Sequence, residues 1–359
     1  MRLQAKATLA AIALTASLIG SGVAADAAGT TVSGEGSSFA GGILTACVID
    51  YNSDSTSNAA GDTISYTASS SGAGRTSFAN GTKPFGASDW SYADTDSKPN
   101  DLLYVPLVGG PIAIAYNLPG IASGLKLDGP TIGKIFRGDI TTWNNAAIAK
   151  LNPKVSLPAS NIIVNYRSGS SGTTQNFANW LMATGATGWS NSGTWATATG
   201  VSSPVGNSEA NSAALVADTH TKQFSIGYAD LKDTLGKALS FAAVKNADGN
   251  FVLPSVTGAA QFLAQQKIAT NGLVQFAYTT KFASSKTKSV AAIAKTAYNL
   301  SVVTYGLAHN NPSTDNSAVA RFFKYVINTC APAYAGDLKY VALTGALKTA
   351  AVALVAKVG

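Results

Sequence analysis

The stretch that most constrains this chain runs Ile162-Ile163-Val164-Asn165-Tyr166, then Arg167-Ser168-Gly169-Ser170-Ser171-Gly172-Thr173, then a helical spacing of Phe177, Trp180 and Leu181. An apolar β-like run leads into a loop of small residues, and the loop opens a helix. The first N–H groups of a helix have no intrahelical partner and carry partial positive charge. Ser, Gly and Thr let a bound group approach that backbone and add hydroxyl donors, while Arg167 supplies a fork of N–H donors. The loop suits an oxyanion; the same residue types before a helix also serve plain capping.

The order of strand, small-residue turn and helix recurs along the chain. Ser37-Ser38 precede Phe39, Ile43 and Cys47, spaced as one face of a helix that ends near Asp50-Tyr51. A strand from Thr63 to Ala68 runs into Ser69-Ser70-Ser71-Gly72, where a second short helix is predicted. Phe85-Gly86-Ala87-Ser88 reads as a short strand that delivers Asp89 at its end. Leu102 to Val108 and Ile112 to Tyr116 are predicted strands split by Gly109-Gly110-Pro111, and Leu300 to Ala308 is a returning strand. These are two crossings between lobes. Asp128 is placed to cap a helix with Ile132, Ile135 and Phe136 inward, and Asn145 opens one that Asn152-Pro153 stops. Further helices are predicted from Gly206-Asn207-Ser208-Glu209 onward, loosely over 255–297, from Ala318 to Asn328, and in the tail from Leu343 to Val358. Residues 28–36 read as polar and Gly-rich, 184–205 as irregular, and Phe224 to Tyr228 as a strand. Strands alternating with helices indicate an α/β protein.

Residues 1–27 read as an export signal: Arg2 and Lys6 are basic, Leu9 to Ile19 is apolar, and Ala25-Asp26-Ala27 fits a small-x-small cleavage site. No Cys follows the apolar core, which argues against a lipid anchor. The expected product is periplasmic or secreted. The chain is 46% hydrophobic and 12% charged, and its remaining length suits two lobes better than one core. Its formal charge of +7 is scattered, without basic clusters interleaved with aromatics, so nucleic acid is a poor partner. Cys47 and Cys330 are either one disulfide or two buried thiols; in an oxidising compartment the bridge is the expectation, and it would lay both chain ends side by side.

Three Ser/Gly segments before helices, together with Arg167 and the strand-end Asp89, could converge on one anion. A carboxylate beside an oxyanion repels it unless the ligand donates a proton. Asp89 therefore suits phosphate and would reject fully ionised sulfate; the plain alternative is that Asp89 caps the turn at Trp90-Ser91. Enzyme readings fare poorly. His220 and His309 are the only histidines, neither with neighbours at metal-ligand spacing, and no nucleophile elbow or Gly-x-x-x-x-Gly-Lys loop is present. No cofactor or metal is expected. The five Trp residues read as packing side chains.

Gly34-Glu35-Gly36-Ser37-Ser38-Phe39, Phe85 through Asp89, Leu127-Asp128-Gly129 through Trp143, Ala147 through Pro153 and Ser171-Gly172-Thr173 occur in this order and at these intervals in one family. The chain resembles the phosphate-binding protein that serves bacterial ABC phosphate transporters. The likeness runs from about Gly34 to the end, strongest over 34–232 and weak over 184–205 and 240–290. It implies a two-lobe periplasmic-binding-protein fold with two hinge-crossing strands. One lobe takes residues 28–108 and 299–359, the other 109–298. It implies phosphate contacts from Ser38, Phe39, Ser70, Asp89, Arg167, Ser171, Gly172 and Thr173, with Asp89 accepting the ligand's proton. It also implies a monomer that delivers inorganic phosphate to a membrane permease, without chemistry. A secreted phosphatase, or an extracellular matrix or adhesion protein on this scaffold, is the alternative. Two positions depart from the family pattern. Ser38 replaces a Thr and keeps the hydroxyl; Gly169 replaces an acidic residue that pairs with the Arg, leaving the site one charge more positive.

Overall fold

Two sets of three parallel strands point their C-terminal ends at the middle of one long strand. The computed structural model describes residues 29–359, and the predicted export signal lies outside them. The first set is Thr31–Gly36, Thr63–Ala68 and Phe85–Ser88; the second is Ile163–Arg167, Asn207–Glu209 and Ser225–Asp230. Between them run the crossing strand Leu102–Asn117 and the return strand Ser301–His309, antiparallel to each other. The sheet order is Thr63, Thr31, Phe85, return, crossing, Ser225, Ile163, Asn207, naming each strand by its first residue. Helices pack against it, as the alternating pattern requires, and the architecture is α/β with two lobes.

The expected break at Gly109-Gly110-Pro111 is instead the middle of one continuous strand. The crossing strand changes partner there: Pro111 is the last residue opposite the return strand, and Ile112 is the first opposite the Ser225 strand. Proline has no N–H to give a ladder, so it is tolerated where pairing changes hands. Glycine makes room beside it, since a Cβ on Gly109 would lie 2.4 Å from Leu263 Cδ1.

Three other expectations are corrected. Residues 31–36 form a strand, because Gly34 lets the Phe85 ring lie against its backbone, where a Cβ would stand 2.1 Å from that ring. Asn207–Glu209 is a strand, and the helix begins only at Ser212, after Asn211 caps it by accepting from the Ala214 N–H at 2.9 Å. The 255–297 stretch is helical only in part: the helices Val256–Leu263 and Lys288–Ala292 flank a two-strand hairpin, Lys267–Ile268 with Val274–Gln275, turning at Asn271-Gly272. Gly272 has φ +91°, the left-handed conformation that glycine adopts without steric cost. Within 184–205 a single helical turn, Trp195–Thr199, interrupts irregular chain. The Asp128 cap, the helix Ala146–Leu151 and the helical tail Gly345–Val355 are as the sequence predicts.

Apolar faces set the packing. The helix Gly41–Ser53 buries Ile43, Leu44, Cys47 and Tyr51, and Tyr51 meets Phe322 of the helix Thr314–Tyr325 edge to face at 5.7 Å. In the other lobe Phe136, Phe177, Trp195 and Tyr228 form an aromatic core. Trp143, Trp180, Trp189 and Trp195 are buried, in line with their reading as packing residues. Among the described residues no helix is long and apolar enough to cross a membrane.

The chain ends are joined. Cys47 and Cys330 form a disulfide across a separation of 283 residues. Alongside it, Asp62 accepts from Arg321 Nε and Nη2, each at 2.7 Å, and from the Tyr51 hydroxyl at 3.0 Å. A bridge over so long a loop removes much chain entropy from the unfolded state. Replacing both cysteines with Ser is expected to lower unfolding free energy by about 3–5 kcal/mol. Denaturant titration under oxidising conditions checks this, and an unchanged midpoint would show that the other chain-end contacts suffice.

Candidate functional site

The strand ends put Asp89 and Arg167 in one buried place, 1% exposed each. Asp89 comes directly after the strand Phe85–Ser88. Its Oδ1 accepts from Ser37 Oγ at 2.6 Å and from Thr304 Oγ1 at 2.7 Å. Its Oδ2 accepts only from Ser71 Oγ, at 3.3 Å, and so keeps lone-pair capacity. Thr304 reaches Asp89 because the return strand pairs antiparallel with Phe85–Ser88, Tyr305 opposite Ser88, which brings the preceding Thr304 alongside the following Asp89. Burial pushes the Asp89 carboxyl above its ordinary value, while the Ser37 and Thr304 hydroxyls, Arg167 and Ser71 pull it back.

Arg167 ends the strand Ile163–Arg167. Nη1 donates to Ser38 Oγ at 3.0 Å and to Ser212 Oγ at 3.4 Å, and Nη2 donates to the Ala210 carbonyl at 3.0 Å. Nε is buried and has no protein partner. Burial lowers the guanidinium pKa, and Tyr228, Asp89 and Asp230 partly offset this. Among the described residues no carboxylate lies at salt-bridge distance from Arg167. Asp139 pairs with Arg137 instead, and Glu209, opposite Arg167 in register, makes no ion pair. A Cβ on Gly169 would meet nothing within 4 Å, so that loop position is open.

Most of the expected residues gather around this pair. Ser38 bridges to Arg167, while its neighbour Ser37 binds Asp89, so consecutive hydroxyls hold the two opposite charges. Phe39 is buried, and its carbonyl accepts from the Tyr340 hydroxyl at 2.8 Å. Ser171 caps the helix Gly172–Ala183 by accepting from the Thr174 N–H at 3.2 Å. Gly172 and Thr173 are its first residues, whose N–H groups no intrahelical carbonyl can reach. Thr173 Oγ1 is buried without a partner, like Arg167 Nε. Ser70 caps the helix Ser71–Ala79 by accepting from the Ala73 N–H at 3.1 Å, and Ser71, not Ser70, bonds Asp89.

Sequence reasoning brought the segments holding Ser37 and Ser71 to the site without assigning these two to Asp89, and it missed Thr304, Asn176 and Ser212. Asn176 Nδ2 donates to the Asp89 carbonyl at 2.7 Å, across the two lobes. The halves also meet through Gly72 N–H to the Ser170 carbonyl at 2.9 Å and Arg75 Nη2 to Ser170 Oγ at 3.1 Å. A Cβ on Gly172 would stand 2.4 Å from Ser71 Oγ and 2.8 Å from Asp89 Cβ, so the closed contact requires glycine.

Buried donors without acceptors, at helix N-termini and on a guanidinium, make a receptacle for an anion. The Asp89 carboxylate adds a proton acceptor. The histidines stand apart: His309 Nδ1 meets Asp101 at 2.9 Å and its ring packs on Phe78. His220 lies in the last turn of the helix Ser212–Thr221.

A model described as a PBP superfamily domain matches residues 21–329. The chain belongs to the PBP superfamily. Relatives in this superfamily include the phosphate-binding protein PstS 3 of Mycobacterium tuberculosis, 43% identical over 135 residues, 36% of each chain. PstS of Xylella fastidiosa is 33% identical over 225 residues, 62% of this chain and 60% of that one. The chain thus spans about a third of the length of the mycobacterial relative and 60% of the other. Among solved structures, PfluDING, a high-affinity periplasmic phosphate-binding protein bound with phosphate, is 21% identical at TM-score 0.68, covering 90% of this chain and 93% of that one. A phosphate ABC transporter substrate-binding protein from Clostridium perfringens is 16% identical at TM-score 0.59, covering 88% and 100%. At these identities the structural likeness shows the fold alone.

Gly172→Ala should wedge the lobes apart and weaken oxyanion binding at least tenfold, about 1.4 kcal/mol. Gly169→Ala, where the added methyl meets open space, is the control. Calorimetry and small-angle scattering on both variants decide it; equal behaviour would show that the Gly172 contact does not govern closure.

Proposed function

We propose that this chain is an extracytoplasmic receptor for inorganic phosphate that delivers it to the membrane permease of an ABC-type transporter. The observation that carries this reading is the buried Arg167, its Nε without a partner and, among the described residues, with no carboxylate at salt-bridge distance, beside an Asp89 whose Oδ2 keeps accepting capacity. A guanidinium removed from water needs a counter-charge, and the carboxylate admits only an anion that brings a proton. Phosphate meets both demands near neutral pH. Sulfate meets only the first. The phosphate-binding proteins among the relatives support the reading, as do the matching motifs.

In this reading Ser38, Phe39 and Ser70 contribute from one lobe, Arg167, Ser171, Gly172 and Thr173 from the other, and Asp89 accepts the ligand's proton. The lobes divide at 108/109 and 298/299, beside the change of partner at Pro111 and the start of the return strand. The protein acts as a monomer, performs no chemistry, and works outside the cytoplasm after loss of residues 1–27.

Titration calorimetry of the ligand-stripped protein tests this. Phosphate should bind one to one. Sulfate should bind at least a hundredfold more weakly, the scale of an unmatched hydrogen bond to a buried charge. Asp89→Asn should weaken phosphate ten- to a hundredfold and admit sulfate. Because the Asp89 pKa is raised, its carboxylate is lost as pH falls through a value above its ordinary one. Phosphate affinity should therefore decline on the acid side in the wild type, and less steeply in Asp89→Asn, where only the ligand titrates. Sulfate binding as tight as phosphate in the wild type would remove Asp89 from this role, and no phosphate binding would end the reading.

A further inference from the structure

The guanidinium of Arg167 is held by a segment that lies outside the serine turns and the strand-end Asp89. Its Nη2 donates to the Ala210 carbonyl at 3.0 Å and its Nη1 to Ser212 Oγ at 3.4 Å. Ser212 is 1% exposed and opens the ten-residue helix Ser212–Thr221. Because Asn211 caps that helix, Ser212 sits in the first turn and its N–H has no intrahelical acceptor. That N–H donates to Ser38 Oγ at 3.3 Å, and the Ser212 and Ser38 hydroxyls lie 3.3 Å apart. A residue of one lobe therefore contacts both the buried cation of its own lobe and the hydroxyl that the other lobe brings against it. With Nη1 and Nη2 anchored, the buried Nε–H edge of Arg167 is the part left without a partner.

We propose that Ser212 is the positioning residue for Arg167 and a further contributor to oxyanion specificity, doing with a neutral hydroxyl and a helix N-terminus what an acidic partner at position 169 would do with a carboxylate. This rests on the phosphate-receptor reading. The chemical difference matters. A carboxylate would orient Arg167 and cancel much of its charge, whereas a hydroxyl accepts from Nη1 and leaves the charge whole. The helix N-terminus adds partial positive charge on the same side. A site built this way is oriented for a proton-bearing oxyanion and keeps the full cation facing it. The same hydroxyl pair, Ser38 and Ser212, makes lobe closure and Arg167 orientation one event.

The test is phosphate titration of the full mature chain and three variants, with thermal melting of each in the absence of phosphate. Ser212→Ala keeps the Asn211 cap, so its melting should stay near wild type while its phosphate Kd rises about tenfold. Ser212→Thr, which retains the hydroxyl, should recover most of the affinity. In an Arg167→Lys background, where the fork is gone, Ser212→Ala should change Kd less than twofold. A purely structural role would instead lower melting and cost the same in both backgrounds, and that result overturns the assignment. A normal wild type with an unaffected Ser212→Ala overturns it too, and leaves the receptor reading intact. A wild type that takes up no phosphate removes that reading, and this assignment with it.

Discussion

A guanidinium and a carboxylate lie at the centre of this molecule, both out of water, and no salt bridge joins them. Burying a charge without a partner is among the costliest things a fold can do. Here each is held by neutral groups: Asp89 by the Ser37, Ser71 and Thr304 hydroxyls, Arg167 by Ser38, Ser212 and the Ala210 carbonyl. Hydroxyls orient a charge without cancelling it. The surrounding architecture serves to bring those groups, scattered along the chain, to one point.

The crossing strand supplies the means. Three parallel strands in each lobe end toward its middle, so the residues at and just past each strand end, whether a serine turn, Asp89 or Arg167 itself, arrive at the same cleft. This is the general behaviour of α/β sheets, whose ligands sit beyond the carboxyl ends of the strands. Pro111 marks where the crossing strand leaves one lobe's partner for the other's, and Gly72 and Gly172 permit the lobes to touch. The Cys47–Cys330 bridge and the Asp62–Arg321 pair hold the two chain ends as one body.

Much of this was legible residue by residue. Strand Thr63–Ala68, the Asp128 cap and the Ser171 cap needed only local chemistry: β-branched runs, a carboxylate three residues before an N–H, a hydroxyl before a helix. Two further local signals carry structure that periodicity alone does not reveal. Asn271-Gly272 is a hairpin turn, and Asn211 marks a helix start more sharply than Gly206 does. The strand Thr31–Gly36 had no such local signal. Its glycines disfavour β structure in isolation, and only the Phe85 ring packed on Gly34 makes their lack of side chains useful.

By itself the amino-acid sequence determined the alternation of strands and helices, the serine-rich turns at helix starts, and the presence of one Arg and one strand-end Asp suited to a protonated oxyanion. These depend on φ/ψ preference and on hydrogen bonds between near neighbours, which act within a few residues. Tertiary structure decided which hydroxyl serves which charge. Ser37 and Ser38 are chemically identical neighbours, yet one faces Asp89 and the other Arg167, because backbone direction at the strand end separates them. Thr304 reaches Asp89 from 215 residues away through the register of two paired strands, and Ser212 meets Ser38 across 174. Such contacts exist only after the sheet has formed, since no local preference specifies what a distant strand will bring alongside.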